Sequence, residues 1–232
     1  MAKKKFYAIK KGEHPVTKEV VENLLFETWD EAKGYVQGVK GAEYKSFPTK
    51  EQAENFLSTS DPLLNKSEQA YNPTALHCYV DGSFNEEIPN YSYGLVCVKD
   101  GIVKHLDKGA GNNPEAIEMR QIGGELLGAM KSVLWAKKQG YSEVVIFHDY
   151  KGVCYHATGY WKRDNPFSET YYQWMQKFMK ENPQIQISFC KVDAHTGDDF
   201  NELADGLAKE GCGLKPNPIY FKTLTRLGLQ AS

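Results

Sequence analysis

The sequence predicts an α/β protein built from two units and a link, and three observations support this. Residues 6–57 fit two strand-like and two helix-like segments into a short span, a small α/β unit assigned to residues 1–57. Residues 58–74 are rich in Ser, Asn, Pro and Lys and lose apolar periodicity, as a flexible linker does; an ordered loop packed on the second unit is the alternative. From residue 76 the periodicity returns in the order β-β-β-α-β-α-α-β-α, so residues 75–213 form the larger unit, with 214–232 left as a Pro-containing tail.

In the first unit, residues 5–10 read as a strand and 41–47 as a second. Thr28-Trp29-Asp30-Glu31 and Thr49-Lys50-Glu51-Gln52 have capping-box spacing and open helices ending near residues 37 and 57. The apolar-polar stretch 16–25 reads as an extra short helix. Phe6 and Phe47 are expected in the core of this unit.

In the second unit, strands are expected at 76–80, 93–98 and 102–106, the last two joined by Asp100-Gly101, a hairpin signal. A long helix over 118–138 carries Met119, Ile122, Leu126, Met130, Val133 and Leu134 on one stripe and stops at Gly140. A buried strand at 143–147, helices at 150–158 and 168–180, a strand at 185–192 and a helix at 198–209 complete the order.

Charged residues make up 25% of the chain and hydrophobic ones 41%, the balance of a globular protein. No apolar run reaches the ~18 residues of a membrane span, and the Lys-rich start lacks the apolar stretch of a secretory signal. Five cysteines show no C-x-x-C spacing, which disfavours a disulfide framework or a zinc site and fits a reducing cytoplasm. With a net charge of -2, any nucleic-acid surface has to be local.

Four acidic residues stand in separate short motifs: Asp81 in Tyr-Val-Asp-Gly-Ser, Glu125 in Gly-Gly-Glu-Leu, Asp149 in Phe-His-Asp-Tyr and Asp205 in Asn-Glu-Leu-Ala-Asp. Asp81 and Asp149 each close an apolar strand, the edge where α/β sheets collect their sites. Glu125 shares a helix face with Ile122 and Ala129, where a lone carboxylate is costly to bury. Gathered by the fold, four such groups repel until a cation joins them; their hard oxygens suit Mg²⁺, and Mg²⁺ suits phosphodiester chemistry. Singly, each of the four is an ordinary turn former or a snorkelling surface acid.

These motifs, with His-Asp-Tyr-Lys-Gly-Val after the third strand group and Asp-Ala-His-Thr-Gly-Asp-Asp-Phe-Asn-Glu-Leu-Ala-Asp near the end, resemble ribonuclease H of type 1 over residues 76–213. The first unit is similar to the hybrid-binding, viroplasmin-like domain that precedes many such enzymes, through Phe6-Tyr7-Ala8, Thr28-Trp29 and Ala42-Glu43-Tyr44-Lys45-Ser46-Phe47. The resemblance implies a ribonuclease H-like mixed five-stranded sheet flanked by helices. It implies an endoribonuclease that cuts the RNA strand of RNA–DNA hybrids, leaving 5′-phosphate and 3′-hydroxyl ends. Asp81, Glu125, Asp149 and Asp205 would hold two Mg²⁺ ions, with Mn²⁺ as an alternative and Asp81 bridging. His195 would assist proton transfer or product release, and Glu202 would tune the second metal position.

The same resemblance places Ser83, Asn85, Asn113 and Gln121 near the RNA 2′-hydroxyl. Gln121 stands where the family commonly has Asn, and Phe84-Asn85-Glu86-Glu87 replaces the common Gly-Asn-Pro-Gly. Trp161 and Lys162, in Tyr-Trp-Lys-Arg, are either DNA contacts or a core aromatic beside solvated charge. Trp29 and Tyr44 would pack on deoxyribose while Lys33 and Lys45 meet phosphates; Ser46 replaces a frequent second Lys. Double-stranded RNA is a further partner for this unit, and a monomer without membrane contact is expected. Two rivals remain: another nuclease or integrase of the same superfold, and a non-catalytic hybrid binder.

Overall fold

The computed structural model describes residues 5–192 and 197–230. The chain divides at Asp61/Pro62 into two compact units.

The first unit runs β1 (Phe6–Glu13), β2 (Val20–Phe26), α1 (Trp29–Val36), β3 (Glu43–Phe47) and α2 (Lys50–Ser58). Its antiparallel sheet has the order β2-β1-β3. The helix expected over 16–25 is therefore strand β2, paired from Tyr7↔Phe26 to Glu13↔Val20. Two adjacent valines favour that outcome, and the turn before them is closed by Thr17 N–H donating to His14 Nδ1 at 3.1 Å. Both capping boxes form: Thr28 Oγ1 accepts from Glu31 N and Thr49 Oγ1 from Gln52 N, each at 3.3 Å. α1 covers the sheet face of Ile9 with Ala32 and Val36. On the other face, Phe47 meets Phe56 of α2 at 5.3 Å between ring centroids. Phe6 and Phe47 are only half-buried on this thin unit.

The second unit runs β4 (Leu63–Asn65), a 3-10 turn (Lys66–Glu68), β5 (Leu76–Asn85), β6 (Asn90–Lys99), β7 (Ile102–Gly111), α3 (Pro114–Ile117), α4 (Gln121–Lys138), β8 (Glu143–His148), α5 (Gly152–Ala157), α6 (Pro166–Glu181), β9 (Gln186–Lys191), α7 (Asp199–Gly211) and α8 (Pro218–Arg226). The five expected strands are joined by β4 in the order β4-β9-β8-β5-β6-β7. β5, β6 and β7 are antiparallel; β5–β8, β8–β9 and β4–β9 are parallel. The hairpin at Asp100-Gly101 has both residues at positive φ, 53° and 74°.

Two expectations are corrected, and the tail, whose order the sequence leaves open, is found to be helical in part. The proposed linker 58–74 begins inside α2 and contains β4, because Leu63 and Leu64 find apolar cover on the second unit. Lys66 fixes the same segment: its Nζ bonds Tyr79 Oη at 2.8 Å and Asp198 Oδ2. The tail after 213 contains α8, which buries Tyr220 and Leu224. The long helix expected from 118 begins at Gln121, after a break at Arg120 with φ 55°.

Helices cover both faces of the sheet. α4, α5 and α6 enclose one apolar core around Leu126, Ile146 and Met175; α7 and α8 enclose another around Phe147, Leu203 and Leu207. Two helices approach strand backbone directly. A Cβ on Gly124 of α4 would lie 1.9 Å from the Ser92 carbonyl oxygen, and one on Gly82 of β5 would lie 1.9 Å from that of Gln121. On the other face, a Cβ on Gly94 would lie 2.0 Å from the carbonyl oxygen of Ala204 in α7. Backbone atoms cannot step aside as a side-chain tip can. Gly124→Ala should therefore cost at least ~2 kcal/mol in a denaturant titration with an unchanged m value. A cost below ~0.5 kcal/mol would show that α4 has room to withdraw.

Candidate metal centre

The two close approaches deliver the acidic residues. Asp81 precedes Gly82, Glu125 follows Gly124, and Asp205 follows Ala204, whose carbonyl meets Gly94, the cross-strand partner of Asp81. The parallel register Tyr79↔Phe147 carries on to set Asp149, just past β8, level with Asp81. Asp81 is mid-strand rather than at a strand end, since β5 continues beside β6 after its pairing with β8 stops. One ligand oxygen from each of Asp81, Glu125 and Asp149 lies within 4.8 Å of the others.

The group is short of positive charge. Burial, then the charges of Asp149 and Asp205, push the Asp81 carboxyl well above the usual carboxylate range, against the pull of the Gly82 N–H and Lys209. Burial, then Asp149 and Asp81, push Glu125 up as well, although the Tyr150 N–H donates to it. Glu125 is 3% exposed, and its Oε2 is buried without a protein partner. An orphaned oxygen among crowded carboxylates fits a divalent cation of the Mg²⁺ type, which takes such ligands and removes the repulsion.

Asp205, on α7, lies outside this group of three, although its charge raises the Asp81 pKa; its Oδ2 accepts from Lys209 Nζ at 2.5 Å and from Asn217 Nδ2 at 3.4 Å. Glu202 is buried in the first turn of α7, outside the group of three. His195 lies outside the described residues. His148 supports the Asp149 turn: it is fully buried, its Nδ1 is 2.9 Å from the Tyr150 carbonyl oxygen, and burial drives its pKa down to about 3. It is therefore neutral, and Nδ1–H donates to that carbonyl.

Of the other expected contacts, Ser83 is buried on β5, two residues beyond Asp81 and so on the same sheet face. Asn85 is not available to a ligand: its Nδ2 donates to the Cys212 carbonyl at 2.9 Å and its Oδ1 accepts from Glu87 N at 3.0 Å. Asn113 is exposed and caps α3, accepting from Glu115 N at 2.9 Å. Gln121 is exposed as the first residue of α4. Trp161 is half-buried against Tyr155 and His156, with ring centroids 4.9 and 5.8 Å apart, while Lys162 is exposed and paired with Asp164 at 2.7 Å. In the first unit, Trp29 and Tyr44 stack at 5.7 Å and stay 37% and 48% exposed. Lys33, on α1, is held by Asp30 at 2.7 Å. Lys45 alternates to the opposite face from Tyr44 and lies 5.5 Å over the Phe47 ring, so the four do not share one surface.

Gly82, Gly94, Gly124, Lys209 and Asn217 were not singled out in the sequence. Lys209 was legible as the residue four beyond Asp205 on one helix; Asn217 was not, because it arrives through α8 folding back.

Asp81 and Glu125 hold their protons to higher pH in the folded chain than in the unfolded one. Above the ordinary carboxylate range the unfolded state binds fewer protons, so these groups subtract stability as pH rises towards their folded values. Glu125→Gln should raise the melting temperature of the metal-free protein by about 2–6 °C near pH 8 and leave it nearly unchanged near pH 4. Equal shifts at both pH values would assign the effect to packing.

A family model described as RNase H matches residues 73–213, and one described as Ribonuclease H1 N-terminal domain matches residues 5–57. A ribonuclease H of Saccharomyces cerevisiae is 38% identical over 60 residues, 26% of this chain; the match spans only 15% of that relative's length. The crystal structure of RNase H1 from Halobacterium salinarum aligns with TM-score 0.50 at 20% identity, over 59% of this chain and 96% of the other, a likeness of fold. A ribonuclease H domain from Desulfitobacterium hafniense, solved in solution, is 36% identical over 62% of this chain and 92% of its own, with TM-score 0.30. Among the described residues no helix is long and apolar enough to cross a membrane. Matched by the family model over more than half its length, the chain belongs to the ribonuclease H family and carries in front the N-terminal domain of the ribonuclease H1 type.

Proposed function

We propose that the protein hydrolyses the RNA strand of RNA–DNA hybrids at an internal phosphodiester, leaving 5′-phosphate and 3′-hydroxyl ends. The observation that carries this reading is the buried carboxylate group with an orphaned Glu125 oxygen and two acids driven up in pKa. Asp81, Glu125, Asp149 and Asp205 would hold two Mg²⁺ ions, with Mn²⁺ as an alternative. Bound there, the ions would lower the pKa of the attacking water and neutralise charge on the leaving oxygen.

The residues of the chain position and select. Asp81, whose pKa both Asp149 and Asp205 raise, would serve both ions. Glu202 would orient the Asp205 side of the site, and His195 would move a proton or help product leave. Ser83, Gln121 and Asn113 remain as donors and acceptors for the RNA 2′-hydroxyl, with Trp161 and Lys162 toward the DNA strand. In the first unit the exposed Trp29–Tyr44 stack would lie against deoxyribose, with Lys33 and Lys45 meeting phosphate less directly. Double-stranded RNA would be a second ligand of that unit. All five cysteines are buried free thiols, which supports a reducing cytoplasm.

A strand-labelled hybrid with Mg²⁺ tests the activity. RNA alone should be cut, a chelator should stop the reaction, and Asp149→Asn should lower the rate by about a thousandfold or more. Cleavage of the DNA strand, or an Asp149→Asn protein of full activity, would defeat the assignment. Trp29→Ala combined with Tyr44→Ala should weaken hybrid binding by about tenfold while the single-turnover rate of the bound complex holds. Binding constants unchanged across a salt series would remove the first unit from substrate recognition.

A further inference from the structure

The Asp205 carboxylate is engaged from two directions. Lys209, one turn along α7, sets its Nζ 2.5 Å from Oδ2, with the two side chains only 22% and 16% exposed. Asn217 approaches the same oxygen from the N-terminus of α8, its Nδ2 at 3.4 Å. An Asn at an N-cap ordinarily bonds an N–H of its own helix. The side chain of Asn217 makes no such bond and is turned to Asp205 instead.

α8 is fixed in this place by packing. Tyr220 is 1% exposed against Gly206, where a Cβ would lie 2.0 Å from its ring. Its Oη donates to Glu210 Oε2 at 3.0 Å, and the same oxygen takes Lys108 Nζ at 2.9 Å. The family match ends at residue 213, so the element that carries Asn217 lies beyond it.

We propose that Lys209 and Asn217 are positioning residues that act on Asp205 in opposite senses: the Lys209 ammonium competes with a divalent ion for the carboxylate, and the neutral Asn217 amide holds that carboxylate in place for the ion. The inference rests on the metal-dependent reading of the acidic group. An ammonium and a metal ion seek the same oxygen and repel each other, so occupancy requires Lys209 to release Oδ2. The amide adds an oriented hydrogen bond and no charge, as partners of metal ligands do. Lys209 thus supplies part of the positive charge that the acidic group calls for, and its charge also reaches Asp81.

Calorimetric titration of Mg²⁺ into the full chain, without nucleic acid, tests this. Lys209→Met should bind Mg²⁺ about tenfold more tightly, and Lys209→Arg, which keeps the charge, should bind like the unaltered protein. Asn217→Ala should bind about threefold more weakly. Lys209→Gln carries the same expected sign as Lys209→Met and serves if the latter fails to fold. Lys209→Met and Asn217→Ala shifting together in one direction, or neither moving beyond about twofold, would overturn the proposal. Asp149→Asn is the reference: if it binds Mg²⁺ as the unaltered protein does, the metal-centre reading itself fails, a result distinct from unaltered affinity in the Lys209 and Asn217 variants alone.

Discussion

Two places where helix backbone touches strand backbone govern the second unit. At Gly82 and Gly124 there is no side chain between α4 and the β5–β6 pair, and at Gly94 there is none between α7 and β6. Ordinary side chains, close-packed between the two, would hold a helix away from a sheet's backbone. Here both helices come nearer, from opposite faces, at neighbouring points of the same two strands. Asp81, Glu125 and Asp205 are each one residue from such a contact, and Asp149 is set by the parallel register of β8 with β5. The fold thus locates the carboxylates through steric exclusion, with hydrogen bonds adding the last orientation.

That arrangement is unfavourable without a partner. Carboxylates brought together away from water raise one another's pKa, and one Glu125 oxygen is left bare. The apolar cores on the two faces of the sheet supply the free energy that offsets this, since burial of Leu126, Met175, Leu203 and their neighbours does not depend on the acids. Local support is also present. Lys209 and Asn217 hold Asp205, the Tyr150 N–H holds Glu125, and a neutral His148 braces the turn at Asp149.

Much of this was legible in the sequence, for identifiable reasons. The capping boxes at Thr28 and Thr49, the Asp100-Gly101 hairpin and the stripe through Ile122, Leu126, Met130 and Val133 are local rules and formed, although Leu134 of that stripe is exposed and Met119 precedes the helix. The group of Asp81, Glu125 and Asp149 was legible because acids are improbable where apolar residues are expected. Segments whose structure depends on a distant partner were not. Residues 20–26 carry a mixed pattern that only β1 resolves into a strand, and β4 exists because β9 offers it a ladder. Asn85 looked like a ligand-facing amide and is instead spent on the Cys212 carbonyl, a bond across 127 positions that no local pattern announces. Alternation along β3 likewise sends Lys45 away from Tyr44.

β4 has one more effect. An outer strand with free N–H and C=O groups invites pairing with a foreign chain, and β9 would be such a strand. The three residues Leu63–Asn65 cover it, and Lys66 secures the covering segment to Asp198 at the start of α7. The stretch that leads out of the first unit therefore also guards the margin of the second against aggregation. A catalytic unit separated from its neighbour keeps that protection only if the cut is made ahead of Leu63.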